Sequence, residues 1–216
     1  MYLFVNGATK TVDKFQGHEH LGRLVQPRSW NNLEDLANSG MPYGADNDAL
    51  KGIDPLAIVK MWSALAKVKN DNLKFVTAPD AVEMTEDGPH GDWNGTLWMW
   101  KGWKKSLKDL GLPAAIVTQD GASVDTVPWD DIAALFIGGS TAWKFSKTSA
   151  LLIRVAAHRG KWVHVGRVNS MKRLRYLDGL PVDSFDGGQF SMYPDTYIPK
   201  YLDRLTVKQE GFLHAI

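Results

Sequence analysis

Short apolar runs alternate along the chain with longer segments in which apolar residues recur at helical spacing. Clear runs of strand length cover 73–78, 114–118, 132–137, 161–165 and 182–185, and weaker ones cover 2–5 and 42–45. Most of these runs are continuously apolar rather than alternating. Continuous runs are typical of strands that are covered on both faces, as in a parallel sheet.

The spacing of apolar residues predicts helices between these strands. The predicted helices cover 55–68, 96–110, 141–158 and 170–177. Pro55 follows Asp54 and suits a first helical position, and Ser170 suits an N-cap. Gly111 and Gly160 end the second and third helices. Strands and helices therefore alternate, which predicts an α/β fold with a parallel sheet.

The length favours a minimal (β/α)8 TIM-type barrel. Eight strand–helix units in 216 residues leave about 27 residues each, so we predict a single domain over 1–216. Each clear strand ends in polar or Gly residues, where a barrel places its active site. A doubly wound sheet also binds ligands at strand ends, so it remains an alternative. However, no GxGxxG follows the first strand.

Composition excludes several classes of site. The chain has no Cys, which excludes disulfides, thiolate chemistry and Cys-ligated zinc, and no third ligand accompanies His18 and His20, so we predict no metal and no cofactor. Lys and Arg number 25 against 24 Asp and Glu, so the net charge gives no general attraction to nucleic acid or membrane. No apolar stretch reaches the ~20 residues of a membrane span, and no targeting segment is visible. We expect a cytoplasmic protein.

Five strand ends occur in an order that resembles one enzyme family. They are Val76-Thr77-Ala78-Pro79-Asp80, Val117-Thr118-Gln119-Asp120-Gly121, Phe136-Ile137-Gly138-Gly139-Ser140, Val165-Gly166-Arg167 and Asp183-Ser184-Phe185-Asp186. An earlier segment, Tyr43-Gly44-Ala45-Asp46-Asn47-Asp48, resembles the family's first active-site strand end. The chain resembles the tRNA-guanine transglycosylase superfamily, and most of all its phage DpdA-type branch, which inserts 7-deazaguanines into DNA. This resemblance also implies a (β/α)8 barrel.

The resemblance implies a base exchange through a covalent intermediate. Asp186 matches the family's nucleophile, and Asp46 matches its general acid/base. Cleavage of an N-glycosidic bond passes through an oxocarbenium-like transition state, which a carboxylate can trap while a second acid/base residue moves protons. Alternatively, Asp186 is a turn residue beside Gly187, and Asp46 belongs to a helix cap.

Recognition of guanine requires an acceptor for its N1–H and 2-amino group and donors for O6. The resemblance implies Asp80 as acceptor, and Gln119 with the backbone N–H groups near Gly138 and Gly139 as donors. Asn47 follows Asp46 and is included in the predicted substrate site. The Gly138-Gly139-Ser140 turn is also compatible with a phosphate site for a small molecule.

Partner predictions follow from departures from the family. Members that act on tRNA carry a zinc-binding subdomain built mainly from Cys, which this chain lacks, so DNA is favoured over tRNA. Arg167 follows a strand end and, with Lys172, Arg173 and Arg175, would contact phosphates. The second substrate would be a free 7-deazaguanine base such as preQ0, and a phage-encoded protein would act in the host cytoplasm. The resemblance leaves open a homodimer, a tRNA-acting enzyme, and a non-catalytic barrel that binds nucleic acid or the base.

Overall fold

The computed structural model describes residues 1–6, 13–86 and 88–213. Within these residues the strands are β1 (Tyr2–Val5), β2 (Leu21–Val25), β3 (Tyr43–Ala45), β4 (Leu73–Thr77), β5 (Ala81–Thr85), β6 (Gly88–Asp92), β7 (Ala114–Thr118), β8 (Ala134–Ile137), β9 (Trp162–Val165) and β10 (Ser184–Phe185). Eight of them form a closed barrel in the order β1-β10-β9-β8-β7-β4-β3-β2. Every neighbouring pair in the barrel is parallel. The predicted (β/α)8 barrel is therefore confirmed.

Helices follow the strands along the chain. In the described residues they are α1 (Leu33–Asn38), α2 (Pro55–Val68), α3 (Trp93–Asp109), α4 (Thr141–Lys144), α5 (Lys147–His158), α6 (Met171–Leu177), α7 (Gly188–Met192) and α8 (Pro194–Leu213). Short 3-10 helices cover Ala49–Lys51 and Trp129–Asp131. No helix in this part of the chain combines the length and the apolar character needed to cross a membrane.

Capping explains where several helices begin. The side chain of Asp54 accepts a hydrogen bond from the Ala57 N–H at 3.0 Å, and α2 has the predicted bounds, 55–68. Ser170 accepts from the Arg173 N–H at 3.2 Å and caps α6 as predicted. The single helix predicted over 141–158 is wrong, because Ser146 caps a new helix there by accepting from the Ser149 N–H at 3.2 Å.

The pattern did not predict α1, α7, α8, β2 or the hairpin of β5 and β6. β2 contains Gly22 and Arg23, which break its apolar run, although all five of its residues are buried. The chain after β4 forms an antiparallel hairpin of β5 and β6, where the turn-forming residues Gly88 and Pro89 obscure the strand pattern. The hairpin stands outside the barrel and pairs Val82 with Gly91.

The barrel interior is a packed core. Its buried apolar side chains are Phe4, Leu24, Phe75, Ala115, Val117, Ala134 and Phe136. His164 on β9 lies among the rings of this core and has no exposed surface. A second and larger core lies between the outside of the barrel and the helices. Because side chains fill the interior, the barrel is not an open channel. A ligand would bind at its carboxyl-terminal end.

Candidate active site

A cavity of about 420 Å³ lies at the carboxyl-terminal end of the barrel. Every barrel strand contributes a residue that follows its last position: Asn6, Gln26, Asp46, Asp80, Gln119, Gly138, Gly166 and Asp186. The cavity is also lined by Asn47, Gly139 and Arg167. All eight residues that the sequence indicated as site residues therefore line one cavity. The strand ends bring them together from positions up to 140 residues apart, from Asp46 to Asp186.

Asp186 is held by a donor on each of its carboxylate oxygens. Oδ1 accepts a hydrogen bond from the backbone N–H of Arg167 at 2.8 Å, and Oδ2 lies 3.1 Å from Nε2 of His164. Burial alone would raise the pKa of this carboxyl, but the donors and the nearby Lys144 ammonium outweigh burial and lower the pKa below its ordinary value. Asp186 is therefore ionised near neutral pH, as a carboxylate nucleophile requires.

The surroundings of Asp46 shift its pKa in the opposite direction. Gln26 donates from Nε2 to Asp46 Oδ2 at 2.9 Å, and Asn6 in turn donates to the Gln26 oxygen. Burial and the negative charge of Asp186 raise the pKa of Asp46 to about 6, although the Gln26 hydrogen bond opposes this shift. Asp46 can therefore hold or release a proton near neutral pH.

Asp80, Asn47 and Gln119 form a buried polar cluster at the cavity wall. Asn47 Nδ2 donates to Asp80 Oδ1 at 2.7 Å, and Gln119 Nε2 donates to Asp80 Oδ2. Burial raises the pKa of Asp80 to about 7 despite these hydrogen bonds. The Gln119 oxygen Oε1 is buried and finds no partner among the described residues. Gln119 Nε2 is thus used toward Asp80 and Oε1 lies against the hairpin, so the cluster presents the Asp80 carboxylate to the cavity.

The Gly138-Gly139 turn closes another side of the cavity. The Gly138 N–H bonds to the Thr118 carbonyl at 2.9 Å, whereas no hydrogen bond among the described residues engages the Gly139 N–H. Asp120 accepts from the Ser140 N–H at 2.7 Å and from the Ser140 hydroxyl at 2.6 Å. A carboxylate therefore already occupies the donors at the start of α4, which opposes phosphate binding there.

Arg167 has a left-handed backbone, with a φ of 61°. This conformation is costly for a residue other than Gly, and such residues concentrate at functional sites. It directs the Arg167 N–H to Asp186, and the guanidinium donates to the carbonyl of Gly139. Arg173 packs behind it, donating to the Arg167 carbonyl at 3.3 Å and lying over the Phe145 ring.

Lys144 is a buried amine close to this wall. It has no exposed surface, and its Nζ donates to the Gly166 carbonyl at 2.8 Å. Burial and the neighbouring Arg167 lower the pKa of Lys144 to about 7, against the attraction of Asp186. The hydrogen bond ties α4 to the segment that follows β9, and so supports the backbone beside Asp186.

The hairpin covers one side of the cavity. Val82, Pro89 and Gly91 line it. A Cβ atom added to Gly91 would lie 1.8 Å from Gln119 Oε1, so the hairpin backbone rests directly on the Gln119 amide. Only Gly permits this approach.

Sequence reasoning missed several supporting residues. Gln26 was missed because β2 was not predicted, and Asn6 because it follows β1, which has only a weak strand pattern; their position directly after a strand is the signal that finds them. Lys144 was missed because it lies in a helix pattern, where a Lys is ordinarily exposed. His164 lies in a mostly apolar strand, and its bond to Asp186 had no sequence signal.

No metal cluster is formed by the residues that the structure describes. Within 1–6, 13–86 and 88–213, no group of three or more His, Cys, Asp and Glu side chains is arranged to hold a metal ion. The rings of His18 and His20 lie 5.9 Å apart, at the amino-terminal side of β2.

Comparison with known proteins bears on the fold. No protein-family model matches the chain, and a search of curated proteins finds no match. Among solved structures the chain is similar to KGPDC from Streptococcus mutans, with 14% identity, a TM-score of 0.52 and coverage of 87% of each chain. At this level of identity the likeness concerns the barrel fold alone.

Proposed function

We propose that this protein is an enzyme that exchanges guanine in DNA for a 7-deazaguanine base through a covalent aspartyl intermediate. The observation that carries the proposal is the pairing of two carboxyl groups in one cavity with opposite pKa shifts, in Asp186 and Asp46. A retaining displacement at a sugar carbon requires an ionised carboxylate as nucleophile and a second carboxyl group that can donate a proton. The resemblance to guanine transglycosylases supplies the substrate class.

The reaction would proceed in two displacements. A carboxylate oxygen of Asp186 attacks C1′ of the target nucleotide, and the C1′–N9 bond breaks with its electron pair going to the departing guanine. Protonated Asp46 donates its proton to that base. The incoming 7-deazaguanine then gives its N9 proton to ionised Asp46 and attacks C1′. Asp186 leaves with the electron pair of the ester bond, which regenerates the starting carboxylate.

The polar cluster fits the edge of a guanine-like base. The N1–H and 2-amino groups are donors, and the Asp80 carboxylate, held by Gln119, is an acceptor on one wall. Base O6 is an acceptor, and the Gly139 N–H is a donor on the adjoining wall. A base with a different edge would leave these buried groups unpaired, which discriminates strongly. Asn47 would act by orienting Asp80.

DNA as the polymer substrate is supported by cations at the cavity. Arg167 and Lys51 line it, and Arg173 contacts Arg167. Cations of this kind contact phosphates on either side of an extruded nucleotide. The absence of Cys removes the zinc-binding subdomain of the tRNA-acting members, so DNA is proposed in preference to tRNA.

The test is mass spectrometry of nucleosides after incubation of the protein with DNA or tRNA and free 7-deazaguanines, including preQ0. We expect the modified base in DNA only. Asp186→Asn should abolish incorporation while the protein remains folded, because the amide is not a nucleophile. Asp109→Asn, an exposed change at the end of α3, is the matched control and should leave incorporation unchanged.

Each of the other outcomes would indicate a different substrate, mechanism or function. Incorporation into tRNA alone would reject DNA as the substrate. A fully active Asp186→Asn protein would reject the covalent mechanism. Binding of nucleic acid or base without incorporation, unaffected by loss of Asp186 or Asp46, would identify a non-catalytic binding barrel. The alternative of a small-molecule phosphate site is opposed by Asp120, which occupies the Ser140 donors.

A further inference from the structure

His164 lies directly beneath the candidate nucleophile, inside the barrel. Its ring is fully buried and is surrounded by the rings of Phe4, Phe75 and Phe136, with centroids 5.6, 4.9 and 4.5 Å away. Nothing in the proposed base exchange requires a polar ring in this apolar layer. A buried polar group of this kind is stabilised only if its nitrogen atoms are hydrogen-bonded.

Both ring nitrogens of His164 are hydrogen-bonded, and the partners form a chain. Nε2 lies 3.1 Å from Asp186 Oδ2, and Nδ1 lies 2.8 Å from the Ser184 hydroxyl. Trp162 Nε1 donates to the same hydroxyl at 2.8 Å. The chain therefore runs from Trp162 through Ser184 and His164 to Asp186.

The direction of this chain follows from the chemistry of its two ends. The indole N–H of Trp162 can only donate, so the Ser184 oxygen accepts and its own proton is free to point at His164 Nδ1. An ionised Asp186 can only accept, so Nε2 of His164 must carry a proton. With the Ser184 proton directed at His164, the ring has Nδ1 as acceptor and Nε2 as donor.

We propose that Trp162, Ser184 and His164 form a relay beneath Asp186 that positions its carboxylate and holds it ionised, with the Ser184 hydroxyl donating to His164 Nδ1. The inference rests on the proposed function in one respect, the role of Asp186 as nucleophile. His164 is a positioning residue, because it reaches the substrate only through Asp186. No proton has to pass along the relay.

Other charged groups also face Asp186 and enter any pH dependence. Arg167 follows β9, Lys144 lies on α4, and Asp46 follows β3. The relay differs from them because it approaches Asp186 from inside the barrel, through His164 and Ser184, which have no exposed surface. Removal of the His164 donor should therefore raise the pKa of Asp186 while the other three groups stay in place.

The experiment combines NMR with kinetics on the full chain. In ¹⁵N-histidine-labelled protein we expect His164 to be protonated at Nε2 and unprotonated at Nδ1. Ser184→Ala removes the donor to Nδ1 and should lower the rate of adduct formation by about tenfold, and His164→Leu should lower it by about a hundredfold. His164→Gln keeps a donor near the Nε2 position and should restore the rate to within about tenfold of the parent protein.

Two controls make the same substitutions away from the relay. Ser149→Ala removes a buried serine whose hydroxyl has no partner among the described residues, and His158→Leu alters an exposed histidine at the end of α5. Both should leave the rate and the pH profile unchanged. His164→Leu, in contrast, should move the acidic limb of the profile to higher pH.

The outcomes separate this inference from the proposed function. Titration of the ¹³C-labelled Asp186 carboxyl needs no activity, and it should shift to higher pH in His164→Leu. A protein without base exchange whose Asp186 titration still depends on His164 would reject the function and support the relay. Protonation of His164 at Nδ1, or an Asp186 titration unchanged in folded His164→Leu, would overturn the relay.

Discussion

The carboxyl groups of Asp46 and Asp186 face the same cavity, and their pKa values are shifted in opposite directions. The pKa of Asp186 is lowered below its ordinary value because three donors or cations outweigh the effect of its burial. The pKa of Asp46 is raised to about 6 by burial and by the negative charge of Asp186. Such a divergence assigns one group as nucleophile and the other as acid at the same pH. It is the physical basis of the base exchange that we propose.

This divergence predicts how the first displacement depends on pH. Adduct formation needs ionised Asp186 and protonated Asp46, so its rate should fall by about tenfold per pH unit above about pH 6. Rapid-quench measurement of the protein–DNA adduct in a single turnover, at saturating DNA, checks the profile.

The Asp46→Asn variant identifies the group responsible for that limb. Its adduct formation should be slow and independent of pH above 6, because the amide neither holds nor releases the proton. Asp109→Asn should retain the parent profile. A limb that persists in Asp46→Asn would assign it to another group and reject Asp46 as the acid.

Local patterns predicted the barrel because strand and helix signals survive in short segments. The α2 bounds and the Ser170 cap follow from Asp54, Pro55 and Ser170 alone. The split at Ser146 was missed because both halves are apolar at helical spacing, and only the cap hydrogen bond interrupts them. β2 was missed because closure of the barrel buries Arg23, which local propensity cannot anticipate.

The candidate site likewise combines residues that could be predicted with contacts that could not. Strand ends were predictable, and the resemblance to guanine transglycosylases selected Asp46, Asp80, Gln119 and Asp186 among them. The supporting contacts depend on register between distant strands, as between His164 on β9 and Ser184 on β10, and no local pattern encodes them. Gln26 beside Asp46 is a similar case.

The raised pKa of Asp80 predicts that this residue destabilises the fold as pH rises. Its folded pKa of about 7 exceeds the ordinary 3.8, so between these values the folded state binds more protons than the unfolded state. The free energy of unfolding therefore falls with rising pH through that window. Asp80→Asn removes this titration, although its single acceptor oxygen keeps only one of the bonds from Asn47 and Gln119.

Urea unfolding at several pH values checks this expectation. Relative to the parent protein, Asp80→Asn should gain stability between pH 4 and pH 8, by on the order of 1–3 kcal/mol. The same variant should bind the free base more weakly, because an acceptor is lost. Parallel stability curves for the two proteins would show that Asp80 does not titrate in this window.

The contact between Gly91 and Gln119 predicts that a single methyl group disturbs base binding. The new Cβ of Gly91→Ala would lie 1.8 Å from Gln119 Oε1, so the hairpin or the amide must move. Displacement of Gln119 should disturb the Asp80 acceptor that it holds, and loss of a hydrogen bond worth about 1–3 kcal/mol would weaken binding of the free base by about five- to 150-fold. Since the hairpin lies outside the barrel, the melting temperature should change little.

Gly188→Ala is the matched control for this prediction. Gly188 also lines the cavity, but an added Cβ would meet nothing within 4 Å. Calorimetric titration with preQ0 should therefore distinguish the two variants. Equal affinity in both would show that the position of Gln119 is not critical for the base.

The left-handed backbone of Arg167 predicts that stability and DNA binding can be separated at one position. Arg167→Gly relieves the strain of a φ of 61° and keeps the backbone N–H that bonds Asp186, but it loses the guanidinium. Arg167→Ala loses the guanidinium and keeps the strain, so it should be less stable than Arg167→Gly by about 1 kcal/mol. Both should bind DNA more weakly, and the slope of log affinity against log salt should decrease by about 1 if a phosphate contact is lost. Thermal unfolding and salt-dependent fluorescence anisotropy measure the two effects. Parent affinity and salt slope in folded Arg167→Gly would remove Arg167 from the DNA-binding surface.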